Sequence, residues 1–433
     1  MKKNIQLINF IKYASMNVLG MISLSCYILA DTFFISKGLG TYGLAALNLA
    51  IPIYSFVHGS GLMVGMGGAT KFAIAKGKED LEEGRKVFTN SFVMAVVIAF
   101  AFFVLGIGLS QKITEVMGAD ENIFAMTNTY MKTILMFSPA FMINNLLQCF
   151  VRNDGDPRLS MIAMISGSMS NIVLDYVFIF PLDMGMFGAV IATCIAPIIS
   201  IMILLIHFIS KKNSLKFCRS SVNVMRIKNN FSLGIPSLVT EISSGVVIIV
   251  FNMITMKIAG NVGVAAYGVI ANISIVVISI YTGIAQGSQP LLSGCYGRGE
   301  RQEMRAILRY AIIAMIGVSV IVYIIMLTFA EPVVGIFNSE NDCMLSSIAV
   351  TGLKLYFIAV LFVGFNIIIS VYFTSMEKAL PAQAVSIIRG LILIVPMTLL
   401  MSGIWGLTGT WLSFPATEAI VSIGAIIYLK IKD

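Results

Sequence analysis

Residues 18–36 read VLGMISLSCYILADTFFIS. A single carboxylate, Asp31, stands in a run of apolar and small residues. A run of about 20 such residues is long enough to cross a bilayer. Three more acids sit the same way, Asp175, Glu241 and Glu418, each deep in an apolar segment. A carboxylate at mid-membrane costs about 2.5–3.5 kcal/mol on insertion scales. Helix packing alone gives no reason to keep such a group. Binding a cation, carrying a proton or touching a substrate does, so the acids point to transport.

The rest of the chain has the same character. It is 58% hydrophobic and 12% charged, with a mean hydropathy of +0.92. Soluble proteins carry about 25% charged residues. Apolar runs recur at 14–36, 45–70, 87–109, 127–150, 159–181, 186–209, 231–258, 264–292, 307–329, 345–374, 380–402 and 405–429. They predict an all-α integral membrane protein of about twelve transmembrane helices. The opening MKKNIQLINFIKYASMN lacks a small-residue cleavage site after a short apolar core. It reads as a mature cytoplasmic end and not as a signal peptide.

Charge sets the expected orientation. With the N-terminus inside, most basic residues fall on the cytoplasmic side. They include Lys2, Lys3, Lys12, Lys71, Lys76, Arg152, Arg158, the cluster from Lys211 to Lys228, and Arg298 to Arg309. The outer side keeps little beyond Lys37, Lys112, Lys132 and Lys257. This is a positive-inside bias with both termini cytoplasmic. The net charge of +8 is then topological, and no nucleic-acid partner is expected. The six cysteines show no paired spacing, and His58 and His207 are too far apart in sequence to suggest a metal site. No nucleotide-binding loop or nucleophile motif is present, so an enzyme is not expected.

The chain is doubled. GLAA at 43–46 is answered by GVAA at 263–266. The same offset places Gly67 on Gly287, Gly77 on Gly297 and Arg85 on Arg305. Near the end of each half, an offset of 218 places Gly185, Gly188 and Pro197 on Gly403, Gly406 and Pro415. Two parallel six-helix repeats follow: a first lobe over 1–209, a cytoplasmic linker over 210–230 and a second lobe over 231–433. Such repeats place a substrate path between the lobes, and rocking of one lobe against the other gives alternating access. Pro52, Pro139, Pro197, Pro236, Pro290, Pro396 and Pro415 fall within spans, where proline bends a helix.

The polar residues of the first half form a set. Tyr27 and Asp31 are four apart and share a helix face, as do Asn171 and Asp175 in SNIVLDYVF. Thr193 lies mid-span in GAVIATCIAP. Two carboxylates, an amide oxygen and a hydroxyl suit a hard cation such as Na+. The same carboxylates suit a shared proton, because close like charges resist joint ionisation. The repeat offset places Asp31 on Phe251 and Glu241 on Met21, so the acidic pair belongs to the first half alone. Arg389 and Glu418 lie at similar depths on successive spans and predict a structural ion pair.

At these residues the chain resembles the multidrug and toxic compound extrusion (MATE) family over nearly its whole length. The likeness rests on the doubled layout, Asp31, RNDGDP at 152–157, SNIVLDYVF, GMFGAVIAT and GIPSLVTE at 234–241. It looks closest to the shorter bacterial, MepA-like branch. The resemblance implies a monomeric transporter of the bacterial inner membrane, exchanging Na+ or H+ for lipophilic cationic small molecules, with no cofactor beyond the coupling ion. It implies a coupling-ion site at Asp31, Asn171, Asp175 and Thr193. It implies substrate contacts at Tyr27, Asn144, Gln148 and Glu241. The family often has a proline about fifteen residues before the first-span aspartate; here the position is Met16, while the repeat partner keeps Pro236. The alternative function is a flippase for lipid-linked oligosaccharides, which shares the layout. Its pyrophosphate-linked substrate would call for several arginines facing the cavity, whereas only Arg389 lies well inside a span.

Overall fold

In a bilayer every buried backbone N–H and C=O must find a partner within the chain, which leaves helices or closed barrels. The computed structural model describes residues 2–211, 213–219, 224–338 and 342–432, and every regular element among them is helical. Lys212 lies outside the described residues, as do the side chains of Lys2, Lys3, Arg226 and Lys432.

The first lobe contains α1 (Lys2–Gly77), α2 (Leu81–Val116), α3 (Phe124–Met136), α4 (Ser138–Asn153), α5 (Pro157–Ile179) and α6 (Gly185–Ile209). The second contains α7 (Val224–Arg298), α8 (Arg301–Thr328), the short α9 (Ala330–Phe337), α10 (Cys343–Tyr356), α11 (Val360–Ser375), α12 (Ala379–Ile387) and α13 (Ile394–Lys432). A 3-10 turn at Phe357–Ala359 joins α10 to α11, and a π turn at Ile388–Ile392 leads from α12 towards α13. Among the described residues, nine apolar units are long enough to cross a membrane when α3 and α4, bent by 51°, count as one. Three of them, α1, α7 and α13, are doubled at Gly40, Gly260 and Gly406, where the backbone leaves helical geometry. Twelve spans result.

The hinges between paired spans repeat one motif. GTYG at 40–43, GMFG at 185–188, GNVG at 260–263 and GLTG at 406–409 each open on a glycine with φ between 58° and 65°. L side chains rarely adopt that conformation. The second glycine lets the new span pack on the end of the one before. A Cβ at Gly409 would lie 1.9 Å from the Met401 carbonyl oxygen. This register corrects the sequence expectation near the end of each half. Gly185 answers Gly406, not Gly403, and Gly188 answers Gly409. GIWG at 403–406 and GLTG at 406–409 both have the right spelling, but of Gly403 and Gly406 only Gly406 takes the left-handed turn.

Four turns on the opposite face also match. The backbone N–H groups of Asp80, Asp156, Glu300 and Lys378 each donate to the carbonyl five residues back, at 2.9–3.1 Å. A left-handed residue precedes each: Glu79, Gly155, Gly299 and Glu377. This is the Schellman helix stop, used at equivalent places in both halves.

Each half buries its own apolar core, one centred on residues such as Phe72, Phe150 and Met131, the other on Phe251, Tyr281 and Phe373. The linker lies on the first lobe. Phe217 packs on Phe88 and Phe92, with ring centroids 5.1 Å apart in both pairs. Residues 224–230, expected within the linker, form the first two turns of α7. Asp154, at the end of α4, fastens the strap. It accepts hydrogen bonds from Lys76 Nζ at 2.5 Å, His207 Nε2 at 2.9 Å and the Ser214 backbone N–H at 2.7 Å. Burial pushes its carboxyl up, but the bonds from His207, Lys76 and Ser214 outweigh that and hold it below the usual carboxylate range.

The lobes meet on the face that carries the Schellman turns, backbone against backbone. A Cβ at Gly67 would lie 2.0 Å from the Asn230 carbonyl oxygen, and one at Gly234 would lie 1.9 Å from that of Met63. The bonds between lobes cluster in the same half of the molecule. Asn17 Nδ2 donates to the Gly283 carbonyl at 3.1 Å, Asn153 Nδ2 to Gln289 Oε1 at 2.9 Å, and Gln289 Nε2 to Thr70 Oγ1 at 3.0 Å.

Two outcomes follow from this packing. Gly234→Leu should force the lobes apart on this face, which spin labels on α1 and α7 would report as a longer inter-lobe distance. An unchanged distance would show that the contact is not limiting. Asp154→Asn should lower the melting temperature by an amount equivalent to up to about 3–5 kcal/mol, the cost of breaking a buried pair. A depressed carboxyl stabilises fully above its unfolded value, near 3.9, and the effect is lost as pH falls through the folded value. The gap between wild type and variant should therefore be widest at neutral pH and close in strong acid. A gap constant with pH would sink this account.

Candidate functional site

Four polar residues from three spans converge inside the first lobe. Asp31 comes from the first span of α1, Asn171 and Asp175 from α5, and Thr193 from α6. All four are buried, Asp175 and Asn171 completely. The Asp31 and Asp175 side chains lie within hydrogen-bonding reach of each other. The Oδ1 atom of each finds no donor among the described residues. With its amide turned so that the nitrogen faces the acid, Asn171 donates to Asp175 Oδ2 at 3.0 Å and accepts from the Thr193 N–H at 3.3 Å. Two acids facing each other in the interior, each with an unmet oxygen, resist joint ionisation. The first span runs unbroken past Met16 and Asp31 to Gly40, with no proline bend.

A cavity partly open to solvent adjoins this site. Tyr27, Thr193, Asn144, Gln148 and Glu241 line it, while Asp31, Asn171 and Asp175 lie one layer deeper. Tyr27 and Tyr54 share a hydrogen bond at 2.8 Å between their hydroxyls. Gln148 donates to Asn144 Oδ1 at 3.2 Å and to Ser200 Oγ at 3.3 Å. Glu241 reaches the cavity from the second lobe. No basic group among the described residues pairs with it.

Three lining residues were not singled out from sequence. Tyr54 and His58 stack with ring centroids 5.6 Å apart. The third is Arg152, placed by the sequence in a cytoplasmic loop but here 2% exposed at the end of α4 and lining the cavity. The signal was present. Asn144, Gln148 and Arg152 are spaced four apart, so one polar stripe runs down one helix face, and Tyr54 and His58 follow the same rule. Arg389 is the arginine the sequence placed well inside a span, and Arg152, at the end of α4, adds a second buried one.

Arg389 and Glu418 pair elsewhere, inside the second lobe. Arg389 Nε lies 3.1 Å from Glu418 Oε1. Asn366 Nδ2 donates to Glu418 Oε2 at 2.7 Å and to its carbonyl at 2.9 Å. The π turn holds Arg389, and it sets Gly390 so close to α7 that a Cβ would lie 2.1 Å from Ser243 Oγ. The second lobe has no counterpart of the acidic site. Phe251, at the position equivalent to Asp31, stacks on Tyr267 with centroids 5.1 Å apart, and Tyr356 stacks on Phe414 at 4.6 Å. Aromatic packing replaces the carboxylates.

A twelve-span helical membrane protein, built of two repeats with acids buried in one and a cavity between them, is a transporter by class. The sequence pattern of the family described as MatE covers residues 17–177 and 236–400, and the chain belongs to that family. Members of the family are transporters, not enzymes. The chain is 25% identical over 409 residues to the multidrug export protein MepA of Staphylococcus saprophyticus, covering 93% of this chain and 89% of that one. It is 24% identical over 412 residues to MepA of Staphylococcus aureus, with the same coverage. Among solved structures it superposes on a MATE in complex with MaL6 with a TM-score of 0.92 at 21% identity, covering 99% of this chain and 96% of the other. An outward-facing multidrug resistance MATE transporter of the MOP superfamily matches with the same score, identity and coverage.

The ion pair in the second lobe has a structural signature. Glu418→Gln should lower thermal stability or yield while leaving transport per folded molecule nearly unchanged. A stable variant without transport would move Glu418 into the mechanism.

Proposed function

We propose that the chain is a cation-coupled antiporter that exports amphipathic organic cations by alternating access between its two lobes. The observation that carries this reading is the Asp31–Asp175 pair, buried, in mutual contact and with an unmet oxygen on each acid, one layer behind a cavity that holds an unpaired acid. A single H+ or Na+ satisfies both carboxyls, with Asn171 and Thr193 completing the site. Sequence similarity to MepA along most of the chain supports multidrug export. With the termini cytoplasmic, the closed face of the lobes is the inner one and the structure is open outward, as in the outward-facing transporter it resembles.

The mechanism follows from charge. An acid-lined, partly dry cavity attracts a lipophilic cation, because low dielectric strengthens Coulomb attraction. Entry of the coupling ion lowers the negative charge of the first lobe and weakens the hold on the drug, which leaves outward. Transport then rests on the difference in affinity between two states, not on tight binding to either. Tyr27, Tyr54 and His58 supply aromatic faces for the apolar body of the substrate, and Asn144 and Gln148 supply adaptable hydrogen bonds.

Proteoliposomes loaded with a fluorescent cation, with ΔpH and the Na+ gradient imposed separately, would identify the coupling ion. Asp31→Asn and Asp175→Asn should each abolish gradient-driven efflux while the protein stays folded in the membrane. Normal efflux by either variant would overturn the proposal. Glu241→Gln should weaken a dicationic substrate more than a matched monocation, and equal losses would remove Glu241 from charge recognition.

A further inference from the structure

The cavity holds charges of both signs. Glu241 enters from the second lobe, and Arg152 lines the cavity from the end of α4. Arg152 is 2% exposed and has no carboxylate partner among the described residues. Its donors divide into two edges. Nη1 donates to Asn17 Oδ1 at 2.7 Å and to Gln286 Oε1 at 3.3 Å. Nη2 meets only sulfur, Met66 Sδ at 3.5 Å and Cys149 Sγ at 3.8 Å. Nε has no partner among the described residues. One edge of the guanidinium is therefore held by neutral amide oxygens, and the other, Nε with Nη2, meets no oxygen acceptor.

That arrangement is incomplete on physical grounds. Neutral amides orient a guanidinium but leave its charge uncompensated, and an unpaired buried ion is costly. Nε and Nη2 are parallel donors, the pair that a carboxylate engages with both oxygens. Cys149, whose sulfur touches Nη2, lines the same cavity.

We propose that Arg152 is a specificity-determining residue that reads a carboxylate on the substrate, so that the cavity selects zwitterionic amphiphiles over the same molecules lacking the acid. This rests on the exporter reading above and adds a second pole to it. The amine of the substrate faces Glu241, the ring body lies against Tyr54 and His58, and the carboxylate takes the Nε–Nη2 edge. A bare cation uses only the first two contacts.

The test uses purified full-length protein in nanodiscs and one matched pair of ligands, an aromatic amine bearing a free carboxylate and its methyl ester. Binding of each is measured by calorimetry, and the ratio of the two affinities is the readout. Wild type should favour the acid by about tenfold or more, the scale of a charge-assisted bidentate contact. The preference should vanish as the ligand's carboxyl is protonated, a measurement that needs no variant. Arg152→Gln should bring the ratio near one, and Arg152→Lys, which keeps the charge but not the paired donors, should retain part of it. Because Arg152 also bonds Asn17 and Gln286, either variant can shift both affinities together, and the ratio removes that shared effect. A ratio near one in wild type, or one unchanged in Arg152→Gln, would overturn the proposal while leaving cation binding to the ester intact. Failure of wild type to bind either ligand would remove the exporter reading as well.

Discussion

Everything in this protein is arranged around the need to keep the backbone hydrogen-bonded inside a bilayer while the chain reverses direction eleven times. Two devices meet it. On one face, four spans open on a GxxG turn, whose first glycine takes a left-handed conformation and whose second packs on the preceding span. On the other face, four helices end in a Schellman stop that reuses carbonyls five residues back. Because these turns recur at equivalent points of both halves, the lobes are built to one plan. Function comes from the places where the plan is broken.

The acidic site is the main break. Asp31 is answered by Phe251, and the aromatic stack of Phe251 and Tyr267 fills the second lobe where the first holds carboxylates. An aromatic pair is self-sufficient, while two acids with unmet oxygens need something from outside. The asymmetry assigns different tasks to lobes of one shape. On the proposed reading the first responds to a small cation, while the second contributes Glu241 to the cavity and locks its own charged residues away in the Arg389–Glu418 pair.

Much of this was legible in the sequence, for physical reasons that can be named. Asp31, Asn171, Asp175 and Thr193 stood out because a polar group in a span has few explanations, and fourfold spacing tied two of them to one face. The pairing of Arg389 with Glu418 could be read from matching depth. Arg152 could not be read so easily. It ends a helix beside a polar RNDGDP turn, where a basic residue is ordinarily a solvated loop charge, and only the stripe through Asn144 and Gln148 marks it as inward. The register of the last span was misread for a different reason. GMFG and GIWG match in spelling and spacing, and sequence alone does not say which glycine adopts positive φ.

The distribution of bond strengths explains how such a molecule can move without unfolding. The strongly held charge pairs lie inside lobes: the buried Asp154 with Lys76 in the first, Arg389 with Glu418 in the second. Breaking one would cost about 3–5 kcal/mol. Between lobes the bonds are of another kind. Asn17 to Gly283, Asn153 to Gln289 and Gln289 to Thr70 join neutral groups, each contributing about 0.5–1.5 kcal/mol, and Arg152 to Gln286 joins a charged donor to a neutral amide at 3.3 Å. The ion pair that crosses, Lys71 with Glu377, is 26% and 30% exposed and contributes at most about 1 kcal/mol. The closed face is thus held by a handful of small terms over a glycine-lined contact. Their sum is comparable with the roughly 5.5 kcal/mol of differential binding needed to swing a two-state equilibrium from one side to the other. On the proposed reading, a cation on the Asp31–Asp175 pair and a substrate between Glu241 and Arg152 supply energies of that order. Lobes with charge pairs at the closed interface would need far more to open, and lobes without charge pairs in their interiors would be less rigid when they do.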